Sequence, residues 1–166
     1  MAMKWPCSRQ SPGAKVTARV QESDFDLSTE IAALREARPE LGAVVAFIGL
    51  VRDVNAGAAV SEMTLEHYPA MTQKALDAIV EQAKQRWNIA EALVIHRVGR
   101  LLPTDQIVLV AVVGAHRGPA FQACEFIMDY LKTQAPFWKK EQTPNGAHWV
   151  EARDSDEAAA QRWRKD

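Results

Sequence analysis

A chain of 166 residues, 48% hydrophobic and 25% charged, has the composition of a globular protein and can bury a sizeable core in one domain. Its formal charge of −1 argues against a dedicated nucleic-acid binder, whose domain is normally clearly basic. No apolar run approaches the ~18 residues that span a bilayer, and the start lacks an apolar stretch of signal-peptide length, so a cytoplasmic chain without membrane contact is expected.

Residues 1–14 read as a flexible N-terminal extension and residues 15–166 as a single domain. "KVTARVQ", from Lys15, alternates like a strand. "LSTEIAALREARPE" predicts a short helix with Ser28 or Thr29 near its start and Pro39 closing it. "GAVVAFIGLVRDV" is a nearly continuous apolar run, expected to be a buried strand ending at Arg52. "NAGAA" then reads as a turn or mobile loop, and "VSEMTLEHY" as a returning strand.

The clearest helix is "MTQKALDAIVEQAKQRW", with Met71, Ala75, Ile79, Ala83 and Trp87 on one face. "EALVIHRVGRL" and "DQIVLVAVVGAHR" predict two strands around a Pro-Thr-Asp turn at residues 103–105. A second long helix starts at Gly118-Pro119, buries Phe121, Cys124, Ile127, Met128 and Leu131, and stops near Gln134 because Pro136 disfavours helical geometry before it. Asp154 and Glu157 have capping-box spacing for a last short helix ending near Trp163. Strands that follow one another without strict βαβ alternation point to an α+β fold, with helices over one face of the sheet.

Three groups carry candidate chemistry. His116 and Arg117 precede a helix start, where free N–H groups and the helix dipole favour an anion; the alternative is a surface arginine beside a locally bonded histidine. Arg52, at the mouth of the apolar run, either pairs with Asp53 or Glu66 or offers its fork of donors to a phosphate. The third is "DYLKTQAPFWKKE", residues 129–141. Lys132 suits the last turn of a helix. Lys139 and Lys140 follow Phe137 and Trp138, expected to anchor a loop, and a lysine held against such a wall beside other cations has a lowered pKa useful for proton transfer.

A helix from Gly118 to Gln134 is roughly 24 Å long at ~1.5 Å per residue. His116-Arg117 and Lys132 therefore stand at opposite ends of one rod. They serve different sites, or a second copy in a two-fold dimer brings its His116-Arg117 to the first copy's lysines. The four histidines are scattered without metal-ligand spacing, and no P-loop, Rossmann fingerprint or nucleophile elbow occurs, so neither a metal nor a cofactor is expected. Cys124 falls in an apolar helical pattern and reads as a buried free thiol, while Cys7 lies in the Pro/Ser-rich start.

"FIGLVRD", "LEHYPAMTQKAL", "IHRVG", "AHRGPAF" and "FIMDYLKTQAPFWKKE", in this order and spacing, resemble the large, catalytic subunit of molybdopterin synthase from about Gly42 to Trp163. The resemblance implies an α/β hammerhead-type fold with a small additional β-rich portion. It implies conversion of cyclic pyranopterin monophosphate to molybdopterin, a step of molybdenum cofactor biosynthesis. Both sulfurs would come from the C-terminal Gly-Gly thiocarboxylate of a small ubiquitin-like subunit, within a heterotetramer built on a homodimer of large subunits. Carried over by position, Lys132 and Lys139 are implied catalytic residues, and Val51, Arg52, His116, Arg117, Lys140, Glu141 and Arg153 substrate contacts. Leu50 stands where the family often has a polar or basic residue, which leaves a backbone contact there. The alternative is a non-catalytic scaffold that binds the ubiquitin-like protein or a phosphorylated pterin.

Overall fold

The computed structural model describes residues 17–151 and 153–164. The expected extension at residues 1–14, Cys7, and the start of the first strand at Lys15 lie outside the described residues. In chain order the elements are β1 (Ala18–Gln21), α1 (Leu27–Arg35), β2 (Ala43–Leu50), β3 (Val54–Asn55), β4 (Ala58–Ala59), β5 (Glu62–His67), α2 (Pro69–Arg86) and β6 (Glu91–Arg97). There follow β7 (Gly99–Leu101), β8 (Gln106–Gly114), α3 (Arg117–Gln134), β9 (Phe137–Thr143), β10 (Gly146–Val150), α4 (Asp154–Gln161) and a 3₁₀ turn at Arg162–Arg164.

Among the described residues the strands form two four-stranded sheets and a separate β3–β4 hairpin. The first sheet runs β1-β6-β8-β2, parallel only between β1 and β6. The second runs β10-β9-β5-β7 and is antiparallel throughout. The chain passes from one sheet to the other between β6 and β7, where Gly99 takes the positive φ of 81° that a side chain resists.

The apolar runs of β6 and β8 have a simple cause: both faces of the first sheet are covered. Val94, Val108, Val110 and Val112 pack with Leu76, Ile79 and Val80 of α2 and Phe126 and Ile127 of α3. Leu93, Ile95, Leu109, Ala111 and Val113 turn the other way, toward Phe25 and Leu34. The two long helices share one face, as expected, and α1 covers part of the other.

Several local expectations are corrected. Ser28 and Thr29 do stand near the start of α1, and Asp26 caps it, its carboxylate accepting from the Thr29 N–H at 2.7 Å. The helix ends at Arg35 rather than at Pro39, and the chain leaves through Ala37 at φ 55°. β2 is not a buried strand but an edge of its sheet, with Val44, Phe47 and Leu50 exposed. In α2 the buried stripe is Thr72, Leu76, Ile79, Val80 and Ala83, and Met71 faces solvent. In α3 Phe121 is likewise exposed, and Phe126 and Tyr130 are buried instead. Asp154 is the first residue of α4, not its cap; that place falls to Arg153, which makes no side-chain capping bond. The segment after Pro136 is no loop but β9, one of the central strands of the second sheet.

Candidate active site

A cavity of about 600 Å³ opens where the two sheets meet the end of α3. The inward face of the second sheet forms one wall. Side chains alternate along a strand, so Phe137, Lys139 and Glu141 of β9 line the cavity beside Met63 and Leu65 of β5. The last two turns of α3 form a second wall through Met128, Leu131 and Lys132. Leu50, Arg52 and Asn55 close a third side, and Glu151, Arg153 and Asp156 a fourth. Pro136 ends the helix at Ala135, and the strand that follows turns Lys139 back toward Lys132.

The sequence-predicted residues divide cleanly. Lys132, Lys139, Leu50, Arg52, Glu141 and Arg153 all line this cavity. Val51 lies beside it but is buried, its backbone tied to Asp105 and Thr104 at 2.9 Å each. Lys140 alternates to the opposite face of β9, where its Nζ sits 5.5 Å from the Trp149 ring centroid. His116 and Arg117 are exposed at the far end of α3 and do not reach the cavity of their own chain. Among the described residues Arg52 makes no ion pair with Asp53 or Glu66; it faces the cavity instead.

The cavity brings together Arg52, Lys132, Lys139 and Arg153 with three carboxylates, Glu141, Glu151 and Asp156. Burial pushes the pKa of Lys139 below its ordinary value, and the Lys132 charge acts in the same direction; Glu141 opposes both. An amine so placed exchanges protons more readily than a solvated lysine. Glu141 is 3% exposed, and its two oxygens lie 3.1 and 2.9 Å from Asn55 Nδ2. Arg153 donates to Asn55 Oδ1 at 2.6 Å.

Two residues escaped the sequence reading. His96, on β6, lines the cavity with its ring stacked on Phe137 at 3.8 Å between centroids. Asn55 looked like part of a turn. Neither carries a local signal, because their partners lie 41 and 86 residues further along the chain. Cys124 packs into the core outside the cavity, and burial pushes its thiol up to about 11.

The family model described as MoaE protein matches residues 20–134. A molybdopterin synthase catalytic subunit of Ralstonia nicotianae is 69% identical over 147 residues, covering 89% of this chain and 84% of that protein. The chain belongs to the MoaE family. Among solved structures, the molybdopterin biosynthesis MoaE protein of Burkholderia ambifaria superposes with a TM-score of 0.78 at 56% identity, covering 91% of this chain and 99% of that one. Molybdopterin synthase of Staphylococcus aureus gives 0.73 at 30% identity, over 80% and 95%. The MoaE match ends at the last residue of α3 and takes in Leu50, Arg52, His116, Arg117 and Lys132. Lys139, Glu141 and Arg153 lie beyond it.

Proposed function

We infer that this chain is the catalytic subunit of a molybdopterin synthase, a sulfurtransferase that converts cyclic pyranopterin monophosphate to molybdopterin. The observation that carries the reading is the cavity itself, which gathers Lys132, Lys139, Arg52 and Arg153, with no cysteine among the described residues that line it. Sulfur must then be delivered from outside, and Cys124 is a poor substitute because its thiol is buried and held protonated. A small ubiquitin-like subunit bearing a C-terminal thiocarboxylate supplies it. Its Gly-Gly tail, which carries no side chains, is the segment that enters the cavity.

The side chains then take distinct tasks. Arg52 and Arg153 hold the substrate phosphate through their planar donor forks. Lys132, exposed at the cavity edge, stabilises the anion that forms when the acyl–sulfur bond is cleaved. Lys139, half-buried with its pKa lowered, transfers the proton. Glu141 supports this group from within the strand, Leu50 and Val51 contribute backbone, and Lys140, on the outer face of β9 against Trp149, stays outside the cavity. His116 and Arg117 serve the cavity of a second copy, within a dimer of large subunits that carries a small subunit at each end. A thiocarboxylate is oxidation-prone, so the reducing cytoplasm suits this chemistry.

Incubation with thiocarboxylated small subunit and cyclic pyranopterin monophosphate tests the reading. Dithiolene product is expected from the native chain, and Lys132→Ala is expected to lower turnover by about 100-fold or more with the fold unchanged. Binding of both ligands without product would make the chain a scaffold, and full turnover by the variant would remove Lys132 from the mechanism.

A further inference from the structure

Asn55 joins three parts of the site through one amide. It ends β3, in a hairpin whose turn residues Ala56 and Gly57 both have positive φ, 48° and 81°. Its Nδ2 faces both oxygens of Glu141 on β9, and its Oδ1 accepts from Arg153, just before α4.

Lys139 and Glu141 stand two residues apart on β9 and share the cavity face. A buried carboxylate must find donors, and the nearest cation on its own strand face is Lys139. Among the described residues no salt bridge joins the two. The neutral Asn55 amide satisfies Glu141 in its place. On its other side the same amide anchors Arg153 without cancelling its charge, and a guanidinium has five N–H donors, so others stay available to a ligand.

We propose that Asn55 is a positioning residue, whose amide keeps the Glu141 carboxylate from closing on Lys139 and aims the Arg153 guanidinium into the cavity. Both cations are thereby left to the reacting anions. Asn55 itself acts through Glu141 and Arg153. The other charged or titratable groups on the cavity are Lys132 from α3, His96 from β6, Arg52 beyond β2, Glu151 beyond β10, and Asp156 from α4. Of the cavity's three carboxylates, Glu141 is the one on the same strand face as Lys139, so its release is the change Lys139 would sense first. The inference rests on the proposed function for its effect on turnover, but the placement of Glu141 is readable without any substrate.

The test is a titration of Lys139 in the full chain carrying ¹³Cε-lysine, with its signal assigned by Lys139→Arg. Asn55→Ala is expected to raise the Lys139 pKa, because the freed carboxylate pairs with the ammonium. Asn55→Ser, whose shorter side chain cannot span both partners, is expected to do the same should the alanine variant fold poorly. In a Glu141→Gln background the rise is expected to vanish, since no carboxylate is left to release. Kinetically, Asn55→Ala should raise KM for the pyranopterin phosphate about fivefold through a loosened Arg153, an effect the size of one lost hydrogen bond. A Lys139 pKa unmoved by either substitution, or a rise that persists undiminished beside Glu141→Gln, overturns the proposal. Absence of turnover in the native chain would count against the proposed function alone.

Discussion

His96 lines the cavity with its ring stacked on Phe137, so protonating it bears on the fold. Its Nδ1 lies 2.9 Å from the carbonyl of Arg97, which can only accept, so Nδ1 carries the proton and Nε2 is bare. Burial, followed by the charges of Lys132, Lys139 and His67, lowers its pKa from 6.5 to about 4, with the Arg97 bond opposing. The unfolded chain therefore binds a proton that the folded chain refuses between those two values. Stability from this residue is fully present above pH 6.5 and is lost as pH falls through 4. By linkage, the native chain should lose about 2 kcal/mol between pH 7 and pH 5 that a His96→Gln variant keeps. Urea midpoints of both proteins at the two pH values measure it; parallel losses would mean that His96 titrates normally. Nothing in "IHRVG" reveals this behaviour, because the Phe137 ring against which His96 stacks arrives from a different sheet.

At the level of elements, periodicity located most strands and helices and misjudged which of their faces are covered. The apolar run at residues 43–50 is a strand, as read, yet an apolar run alone does not distinguish a central strand from an edge strand. Phe121 lies near helical spacing from Cys124, but the face it occupies is left open by α2 and β8. The lysine pair reads as a loop because adjacent charges hide the alternation of β9 and its pairing with residues 62–67 is non-local, although its hairpin with residues 146–150 closes locally through Pro144-Asn145. In contrast the end of α3 was legible, because Pro136 acts on its immediate neighbour. One close approach fixes the edge strand in place. A Cβ added at Gly42 would lie 2.3 Å from the backbone oxygen of Ala115, at the point where the Gly42 N–H donates to Gly114 at 3.0 Å. Gly42→Ala must move one backbone away from the other, and a loss of about 2 kcal/mol or more is expected in urea unfolding. A midpoint equal to that of the native chain would show this contact to be slack.

At the level of the whole molecule, the length of α3 decides how many chains make one site. Its 18 residues span about 27 Å, with Arg117 at one end and Lys132 at the other. Aromatic packing of Trp87 and Trp163 on Phe126, at 5.2 and 5.7 Å, fixes the middle of the helix, so its ends do not approach by bending there. A phosphate held by Arg52 and Arg153 is beyond the reach of Arg117 in the same chain. In the two-fold dimer proposed above, one protomer's Arg117 completes its partner's cavity, and separate defects should then complement. Lys132→Ala and Arg117→Ala are each expected to be nearly inactive as homodimers. After mixing and subunit exchange, half of the dimers combine one of each, and every such dimer holds one intact site, so about a quarter of native turnover should return. Recovery is expected to depend on exchange and to disappear when the dimers are cross-linked before mixing. If Arg117 serves its own chain's cavity, every site in the mixture carries one defect and no activity returns.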